Sequence, residues 1–421
     1  MPKPLEGKTV VVGLTGGIAC YKAAELVRAL VRGGASVRVM MTAAAREFIT
    51  PLTLQTLSGH PVATEIFNLT QESQIGHIHL ADRADALIVA PATANCIGKI
   101  AGGLADDIVT TVILATKAPL LMAPSMNVNM YENVVVQENL ERLRSRGVRI
   151  IEPGEGFLAC GWEGKGRLAD TEVLVAEVER AVTRRDLAGQ RVLVTAGPNR
   201  EAIDPVRFIS NRSTGKMGFA LAAAAWRRGA EVVLIAGPTS LATPHGVQRI
   251  DVASAADMHH AVRKNIGTAT VLLMTAAVAD YRPAHVAAQK LKKGSGDMQL
   301  DLVRTVDILA DVAAHKGERI VVGFAAETEA VLENAQRKLE AKKLDLIVAN
   351  DVAGSDTGFA VDTNAVTIID RSGGREDVPL MTKGEVADRI LDRVAASIHK
   401  PTAKRPARAP RAKFRTQRRS N

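Results

Sequence analysis

The sequence contains little cysteine, no long apolar run and no general excess of one charge. Its three cysteines, Cys20, Cys96 and Cys160, are scattered over 421 residues and form no C-x-x-C pair, which excludes a disulfide framework. No segment approaches the roughly 18–20 consecutive apolar residues of a membrane-spanning helix. The N-terminal stretch "MPKPLEGKTVVV" lacks the apolar core and small-residue cleavage site of a secretory signal. We therefore expect a cytoplasmic protein.

The positive charge is concentrated in one C-terminal segment. The formal net charge is +9, and residues 400–421 contain nine Lys or Arg and no acidic residue. The rest of the chain carries 45 basic and 45 acidic residues. Because the segment is rich in proline, alanine and arginine, it cannot form a hydrophobic core. We expect a disordered basic tail that contacts nucleic acid or other polyanions only weakly, so the net charge does not indicate the main function.

The remaining chain reads as two α/β halves. Buried strands are predicted at "KTVVVGL", "SVRVMMT", "ALIVAPAT" and "APLLMAPSM", with helices between them. After the polar stretch "AVTRRDLAGQ" the pattern restarts with "RVLVTAG", "EVVLIAG", "TVLLMTAAV", "RIVVGFAAE" and "LDLIVAN". Such alternation predicts parallel sheets covered on both faces. The predicted fold class is α/β, with two doubly wound, Rossmann-like domains at residues 1–188 and 189–399 and the tail at 400–421.

Several further elements can be bounded from the pattern. Helices are predicted near Ala255–Asn265, Ala330–Lys343 and Lys383–Ile398, and a hairpin turn at Ser372–Gly374. The segment "MQLDLV" alternates like a strand. Because parallel strands bring their carboxyl ends to one edge of a sheet, we expect a ligand site at that edge in each half.

The first half places glycine and polar residues at these strand ends. The loop "GLTGGIA" joins a strand to a helix N-terminus, where it either binds a phosphate or makes a tight turn. It is not a dinucleotide G-x-G-x-x-G motif. Asn127 follows a strand, where its amide could bind a carboxylate or a carbonyl. Cys160 lies in a glycine-rich segment that suits a mobile flap, on which a thiol can act as an acid.

In order, "TGGIA", "GHI.LA", "APATAN", "G.ADD", "P.MN.NM" and "ACG..G.GR" resemble the flavin-dependent cysteine decarboxylases over almost all of residues 8–170. The resemblance implies a flavodoxin-like flavoprotein domain, with His77 as the catalytic histidine, Asn127 on the substrate carboxylate and Cys160 as the proton donor. Here "PSMN" replaces the usual "PAMN", and Cys20 stands where alanine is commoner. The resemblance implies FMN contacts at Gly16, Gly17, Ile18, Thr42, Pro91, Thr93 and Asn95.

The second half carries a different set of motifs. The segment "STGKMG" enters an Ala-rich helix, but it is not a Walker A loop. Asp280 follows a strand, where it could contact a cation or a ribose. The run "KLKKG", with Lys290, is either a solvated lysine cluster or a partner for a polyphosphate.

In order, "DPVR.ISN.S.GKMG", "AAVADY", "K.KK", "VGFAAET" and "ANDV" resemble the phosphopantothenate–cysteine ligases, which many bacteria fuse behind the decarboxylase. The resemblance implies CTP and Mg²⁺, with Asn211 acting on phosphopantothenate and Lys290 on the triphosphate. Asp280 would also lie near the metal. Val306 replaces the usual proline before Asp307. The resemblance implies nucleotide contacts at Met274, Thr275, Ala276, Asp280, Asp307, Phe324, Lys338 and Lys342.

Together the two resemblances predict consecutive steps of coenzyme A synthesis. The ligase half would join cysteine to 4′-phosphopantothenate through an acyl-cytidylate, and the flavin half would decarboxylate the product to 4′-phosphopantetheine. One alternative retains only the ligase, with the flavoprotein domain as an assembly scaffold. A polyanion-binding protein that works through its tail is a third hypothesis. The resemblance further implies trimers of the first domain and dimers of the second. Because the sequence has no apolar stretch long enough to span a membrane, we expect no membrane partner.

Overall fold

A computed structural model describes residues 4–67, 76–157, 161–293, 297–327, 330–351 and 361–398. In these ranges the strands are β1 Thr9–Leu14, β2 Ser36–Met41, β3 Ala86–Ala92, β4 Leu120–Pro124, β5 Arg149–Ile150, β6 Gly154–Phe157, β7 Glu163–Arg167, β8 Arg191–Ala196, β9 Arg200–Ala202, β10 Phe208–Ser210, β11 Glu231–Ala236, β12 Gln248–Asp251, β13 Val271–Met274, β14 Tyr281–Pro283, β15 Leu302–Arg304, β16 Ile320–Glu327, β17 Leu346–Asp351, β18 Thr363–Asp370 and β19 Arg375–Thr382.

The α-helices in the same ranges are α1 Cys20–Arg32, α2 Pro51–Ser58, α3 His77–Arg83, α4 Ala94–Gly102, α5 Ile108–Ala115, α6 Val128–Glu132, α7 Val134–Ser145, α8 Thr171–Val182, α9 Lys216–Arg227, α10 Ala255–Asn265, α11 Ile308–Ala314, α12 Val331–Ala341 and α13 Lys383–Ile398. Short 3-10 helices lie at Ala43–Glu47 and Ile266–Thr268. None of the helices in the described ranges has both the length and the apolar character that a membrane span requires.

The first half forms a parallel sheet in the order β2-β1-β3-β4-β5, which is the flavodoxin-like order. All seven residues of β3 are buried, which explains its continuous apolar sequence. One face of the sheet packs against α1 and α8, and the other packs against α4, α5 and α7. Residues that alternate along β1 divide between the two faces, because successive side chains of a strand point in opposite directions.

The second half forms a larger sheet in the order β12-β11-β8-β13-β16-β17-β18-β19. Its strands pair in parallel as far as β17, and β18 and β19 then add an antiparallel edge. Helices α9 and α13 cover one face, and α10, α11 and α12 cover the other. Both halves are therefore doubly wound α/β domains, as the sequence predicts.

The detailed predictions differ in accuracy. Helices α10 and α13 have the predicted bounds, and the hairpin turn lies between β18 and β19. The predicted strand "MQLDLV" is largely wrong, because only Leu302 and Val303 of it lie in a strand, β15, which pairs with β14. Alternation alone does not form a strand; the segment pairs only where β14 offers a partner. Cys160 and the basic tail lie outside the described residues.

A buried carboxylate joins the two halves. Glu177, on α8, accepts a hydrogen bond from Arg149 Nη2 at 2.9 Å and contacts His245 Nε2 at the same distance. Arg149 begins β5 in the first half, and His245 lies between β11 and β12 in the second. Burial alone would raise the pKa of Glu177, but the hydrogen bonds from His245 and Arg149 outweigh it and hold the pKa below its usual range.

Replacing this carboxylate should weaken the junction. We expect Glu177→Gln to lower the free energy of unfolding by about 2 kcal/mol at pH 7, because Arg149 loses its buried counter-charge. Since the folded pKa is depressed, the contribution is present at neutral pH and lost as the pH falls through the folded pKa. Denaturant unfolding at pH 7 and at acid pH measures both effects. Glu172→Gln, at an exposed position of the same helix, is the matched control; equal stability of the two variants at pH 7 would contradict the assignment.

Candidate active sites

The first candidate site is a pocket of about 1080 Å³ at the carboxyl edge of the first sheet. The loops after β1, β2, β3 and β4 meet there because the four strands are parallel. The hairpin β6–β7 adds Phe157 and Gly166–Leu168 to the wall. These loops are far apart in sequence, so the sheet order brings the pocket together.

Polar side chains at this edge are held by the helices that they cap. Thr42 Oγ1 accepts a hydrogen bond from the Ala45 N–H at 3.2 Å. Thr93 Oγ1 caps α4 in the same way, and Asn127 Oδ1 accepts from the Asn129 N–H at 2.8 Å at the start of α6. N-caps fix the side chain at a helix start. The sequence features at the strand ends thus have a structural role as well as a candidate chemical one.

Most of the predicted flavin residues line this pocket. Those that do are Gly16, Gly17, Ile18, Thr42, Thr93 and Asn95, together with the predicted substrate residue Asn127. Pro91 lies behind the wall, where its carbonyl accepts a hydrogen bond from Thr15 Oγ1. His77 begins α3 and does not line the pocket of its own chain; its Nδ1 is buried and has no hydrogen-bond partner among the described residues.

The loops after β1 and β2 approach each other so closely at Gly16 that a side chain there would clash. A Cβ at this position would lie 2.4 Å from the Cβ of Ala44, whereas at Gly17 the nearest atom would be Thr93 Cγ2 at 3.6 Å. We expect Gly16→Ala to destabilise the flavin-free protein by about 1–3 kcal/mol through overpacking. Gly17→Ala is the control and should change stability by less than about 0.5 kcal/mol. Denaturant unfolding of both variants without flavin tests this difference, and equal losses would contradict the steric explanation.

Charged and sulfur-containing residues of the pocket were missed by the sequence analysis. Lys99 Nζ lies 2.8 Å from Asp106 Oδ1 and 3.4 Å from Asp107 Oδ2, and both Lys99 and Asp107 line the pocket. Burial and the charge of Asp107 raise the pKa of the neighbouring Cys96 thiol to about 12, so this cysteine stays protonated. The motif "G.ADD" contains Asp107, but the spacing of residues within the motif does not indicate that Asp107 lines the pocket.

The second candidate site lies at the carboxyl edge of β8 and β13. Met274 ends β13, and Thr275 and Ala276 follow it beside β8. Asn211 reaches this edge, because its Nδ2 donates a hydrogen bond to the Ala277 carbonyl at 3.0 Å. A Cβ at Gly218 would lie 2.5 Å from both Ala196 Cβ and Thr275 Oγ1, so glycine lets α9 start against the strands. The structure thus brings Asn211 together with the predicted residues Met274–Ala276.

Four other predicted nucleotide residues, Asp307, Phe324, Lys338 and Lys342, lie around β16. Lys342 Nζ lies 2.8 Å from Asp307 Oδ2, and Lys338 Nζ donates to the Phe324 carbonyl at 3.1 Å. Burial opposes the charge of Asp307, but the hydrogen bond from Lys342 outweighs it and lowers the pKa of the carboxyl group. Asp307 also caps α11 by accepting from the Ala310 N–H. Val306 does not prevent this cap.

Asp280 and Lys290 are exposed. The carbonyl of Asp280 accepts from the Thr305 N–H at 2.9 Å. Buried Asp204 accepts from the Val206 and Arg207 N–H groups at 2.8 Å and from the Leu291 N–H at 3.2 Å, so it ties the segment before Asn211 to the residue after Lys290.

Asp204 begins the quoted "DPVR" motif, but the motif alone does not indicate that its carboxylate holds two distant segments together. Among the described residues no three His, Cys, Asp or Glu side chains form a metal-binding group.

Comparisons with known proteins match both halves. Residues 1–183 match the family model described as flavoprotein, and residues 187–398 match the model of the DNA/pantothenate metabolism flavoprotein C-terminal domain. Over 405 residues the chain is 50% identical to the coenzyme A biosynthesis bifunctional protein CoaBC of Bacillus subtilis, with 95% of this chain and 100% of that protein covered. The chain belongs to the family of coenzyme A biosynthesis bifunctional proteins.

A second relative and a solved structure are also similar to this chain. The coenzyme A biosynthesis bifunctional protein CoaBC of Vibrio cholerae is 48% identical over 390 residues, which cover 92% of this chain and 98% of that protein. The crystal structure of the C-terminal domain of a coenzyme A biosynthesis bifunctional protein CoaBC is 43% identical, covers 51% of this chain and 98% of that one, and has a TM-score of 0.44. The chain is a bifunctional enzyme of coenzyme A biosynthesis, a phosphopantothenoylcysteine decarboxylase and phosphopantothenate–cysteine ligase.

Proposed function

We propose that the first pocket binds FMN and decarboxylates 4′-phosphopantothenoylcysteine, and that the second site ligates 4′-phosphopantothenate to cysteine with CTP as the consumed co-substrate and Mg²⁺ as a cofactor. The observation that carries the proposal is the pocket itself, which gathers six predicted flavin residues and Asn127 from four separate loops. We place both activities in the cytoplasm, since Cys20 and Cys96 are free thiols.

The residues of the first pocket fit a flavin. Its volume of about 1080 Å³ accommodates a cofactor together with a substrate. Gly16 and Gly17 of the loop after β1 line the pocket, where main-chain N–H groups suit a phosphate, and Ile18, Met130 and Phe157 offer apolar surface for a ring system. When bound, FMN would take two electrons from the substrate thiol, which creates an electron sink for the loss of CO2, and would return the same two electrons to the decarboxylated product.

The protein groups would bind the substrate and move its protons. The hydrogen bond from the Asn129 N–H fixes Asn127 Oδ1, and we assign Asn127 Nδ2 to the substrate carboxylate. His77 would take the proton from the substrate thiol, and the Cys160 thiol would return a proton to the carbon that loses CO2. These roles rest on the family motifs "GHI.LA", "P.MN.NM" and "ACG..G.GR".

In the second site the carboxylate of 4′-phosphopantothenate would attack the α-phosphorus of CTP, with pyrophosphate as the leaving group. The amine of cysteine would then attack the acyl carbon and release CMP. Asn211 would polarise the pantothenate part, and Lys290 would neutralise the triphosphate. Asp280, Asp307, Phe324, Lys338 and Lys342 would surround the nucleotide. Asp280 would help to hold Mg²⁺, which would screen the triphosphate charge.

We also propose self-association. Ile18, Tyr21, Met130 and Phe157 line the flavin pocket and are between 48% and 76% exposed. Such an apolar rim suits a subunit interface, and trimers would cover it. Val206, Phe208, Tyr281 and Val303 of the second domain are also exposed apolar residues, and a dimer of that domain would bury such side chains.

One incubation tests the whole scheme. The purified full-length chain is given 4′-phosphopantothenate, cysteine, CTP and Mg²⁺, and CMP and CO2 are measured. A yellow protein that forms both products in equal amounts supports the proposal. CMP without CO2 would instead support the ligase with a scaffold domain, and ATP in place of CTP tests the nucleotide. Sedimentation of the same sample tests the trimers and dimers.

A further inference from the structure

Two buried threonines occupy equivalent places in the two halves. Thr15 directly follows β1, and Thr195 lies near the end of β8; they are 2% and 0% exposed. β1 and β8 are inner strands of their sheets. Each pairs in parallel with the strand whose following loop carries predicted ligand residues, β3 in the first half and β13 in the second.

In the first half Thr15 joins the two loops that form the flavin pocket. Its Oγ1 donates a hydrogen bond to the Pro91 carbonyl at 2.7 Å and accepts one from the Thr93 N–H at 2.9 Å. The Thr15 N–H also donates to the Pro91 carbonyl at 3.3 Å. Thr15 is next to Gly16 in the chain, so this contact sets the spacing between the loop that starts at Gly16 and the loop that contains Thr93.

In the second half Thr195 makes the corresponding contact. Its Oγ1 accepts a hydrogen bond from the Ala276 N–H at 3.2 Å and donates to Met274 Sδ at 3.7 Å. Thr275 Oγ1 donates in turn to the Thr195 carbonyl. Met274, Thr275 and Ala276, which are predicted to contact the nucleotide, are thus all hydrogen-bonded to Thr195 of β8.

A hydroxyl is suited to this task because it donates and accepts at the same time. A valine of the same shape would leave the Thr93 or Ala276 N–H without its acceptor, and an N–H group shielded from water without an acceptor has a free-energy cost. The loop can avoid that cost by moving toward water, which separates it from its neighbour. The loss would therefore appear as altered ligand binding.

We propose that Thr15 and Thr195 are positioning residues, each of which holds the ligand loop of the adjacent strand in register with its own loop. Thr15 orders the FMN loops, and Thr195 orders the nucleotide loop. Neither residue is required to contact the reacting atoms. The inference rests on the proposed function, because it assumes that FMN and CTP occupy these sites.

In the experiment, Thr15 and Thr195 are each replaced by valine in a separate variant of the full-length chain. FMN is titrated into flavin-free protein by fluorescence, and CMP release is measured as a function of CTP. We expect Thr15→Val to raise the FMN dissociation constant at least tenfold and to leave the KM for CTP unchanged. We expect Thr195→Val to raise the KM for CTP at least tenfold and to leave FMN binding unchanged. Each variant is the matched control of the other.

A second pair of variants distinguishes the effect of losing the hydroxyl group from the effects of altered packing and of general misfolding. Thr15→Ser and Thr15→Ala both lose the methyl group, and only serine keeps the hydroxyl. Serine should stay within threefold of the natural protein in FMN affinity, whereas alanine should resemble valine. Equal FMN affinities for the serine and alanine variants, or an unchanged affinity in Thr15→Val, would overturn the inference. If the natural protein itself neither binds FMN nor consumes CTP, the proposed function fails instead.

Discussion

Replacing His77 by asparagine is expected to lower CO2 release at least about a hundredfold, which is the low end of the contribution of a general acid–base group. The ligase should continue, so CMP forms at the normal rate and 4′-phosphopantothenoylcysteine accumulates. His77 Nδ1 is buried and has no partner among the described residues, and asparagine can replace its polarity without replacing its basicity. Stopped assays for CO2 and CMP on the same sample measure both activities.

His79→Asn is the control for this result. His79 lies on the same helix, α3, two residues further along, and neither the motif nor the pocket gives it a role. Its variant should keep the natural rate of CO2 release. Because His77 does not line the pocket of its own chain, mixing His77→Asn with Asn127→Asp subunits provides a second test. Activity regained in the mixture would indicate that two subunits form each site, and full activity of His77→Asn alone would remove it from the mechanism.

Replacing Asn211 by aspartate should lower CMP formation at least about a hundredfold, as expected when a polarising donor is lost. The new carboxylate could no longer donate to the Ala277 carbonyl, a bond of 3.0 Å, and it would repel an anionic substrate. Decarboxylation of added 4′-phosphopantothenoylcysteine should not change. Separate assays with phosphopantothenate and with phosphopantothenoylcysteine as substrate distinguish the two activities.

Asn265→Asp is the matched control, since Asn265 Nδ2 also donates to a main-chain carbonyl, that of Ala261, at 2.8 Å. Asn265 ends α10, and its variant loses the same kind of hydrogen bond without a change at the candidate site. Ligase activity near the natural level is expected for it. If Asn211→Asp kept natural ligase activity, or if both variants lost it to the same extent, the assignment of Asn211 would be wrong.

Much of each candidate site could be predicted from sequence, because its parts are local. "TGGIA" and "APATAN" each combine the end of an apolar strand, a turn and a helix start, and the structure brings both to the flavin pocket. The roles of Asp204 and Asp107 could not be predicted. Asp204 acts on Leu291, 87 positions away, and Asp107 faces the pocket only because α4 and α5 pack as they do. Spacing within a motif contains no information about such contacts.

The sequence by itself determined the alternation of the main buried strands with helices and the presence of two α/β halves. Buried strands and helix starts leave a pattern in residues that are adjacent in sequence, so β3 and α13 can be predicted from the sequence alone. Only the tertiary structure decided that β1 lies between β2 and β3 and that β8 lies between β11 and β13. That order is set by how the crossover helices pack on each face. It brings Thr15 against Thr93, which is 78 positions away, and so decides which loops share a ligand.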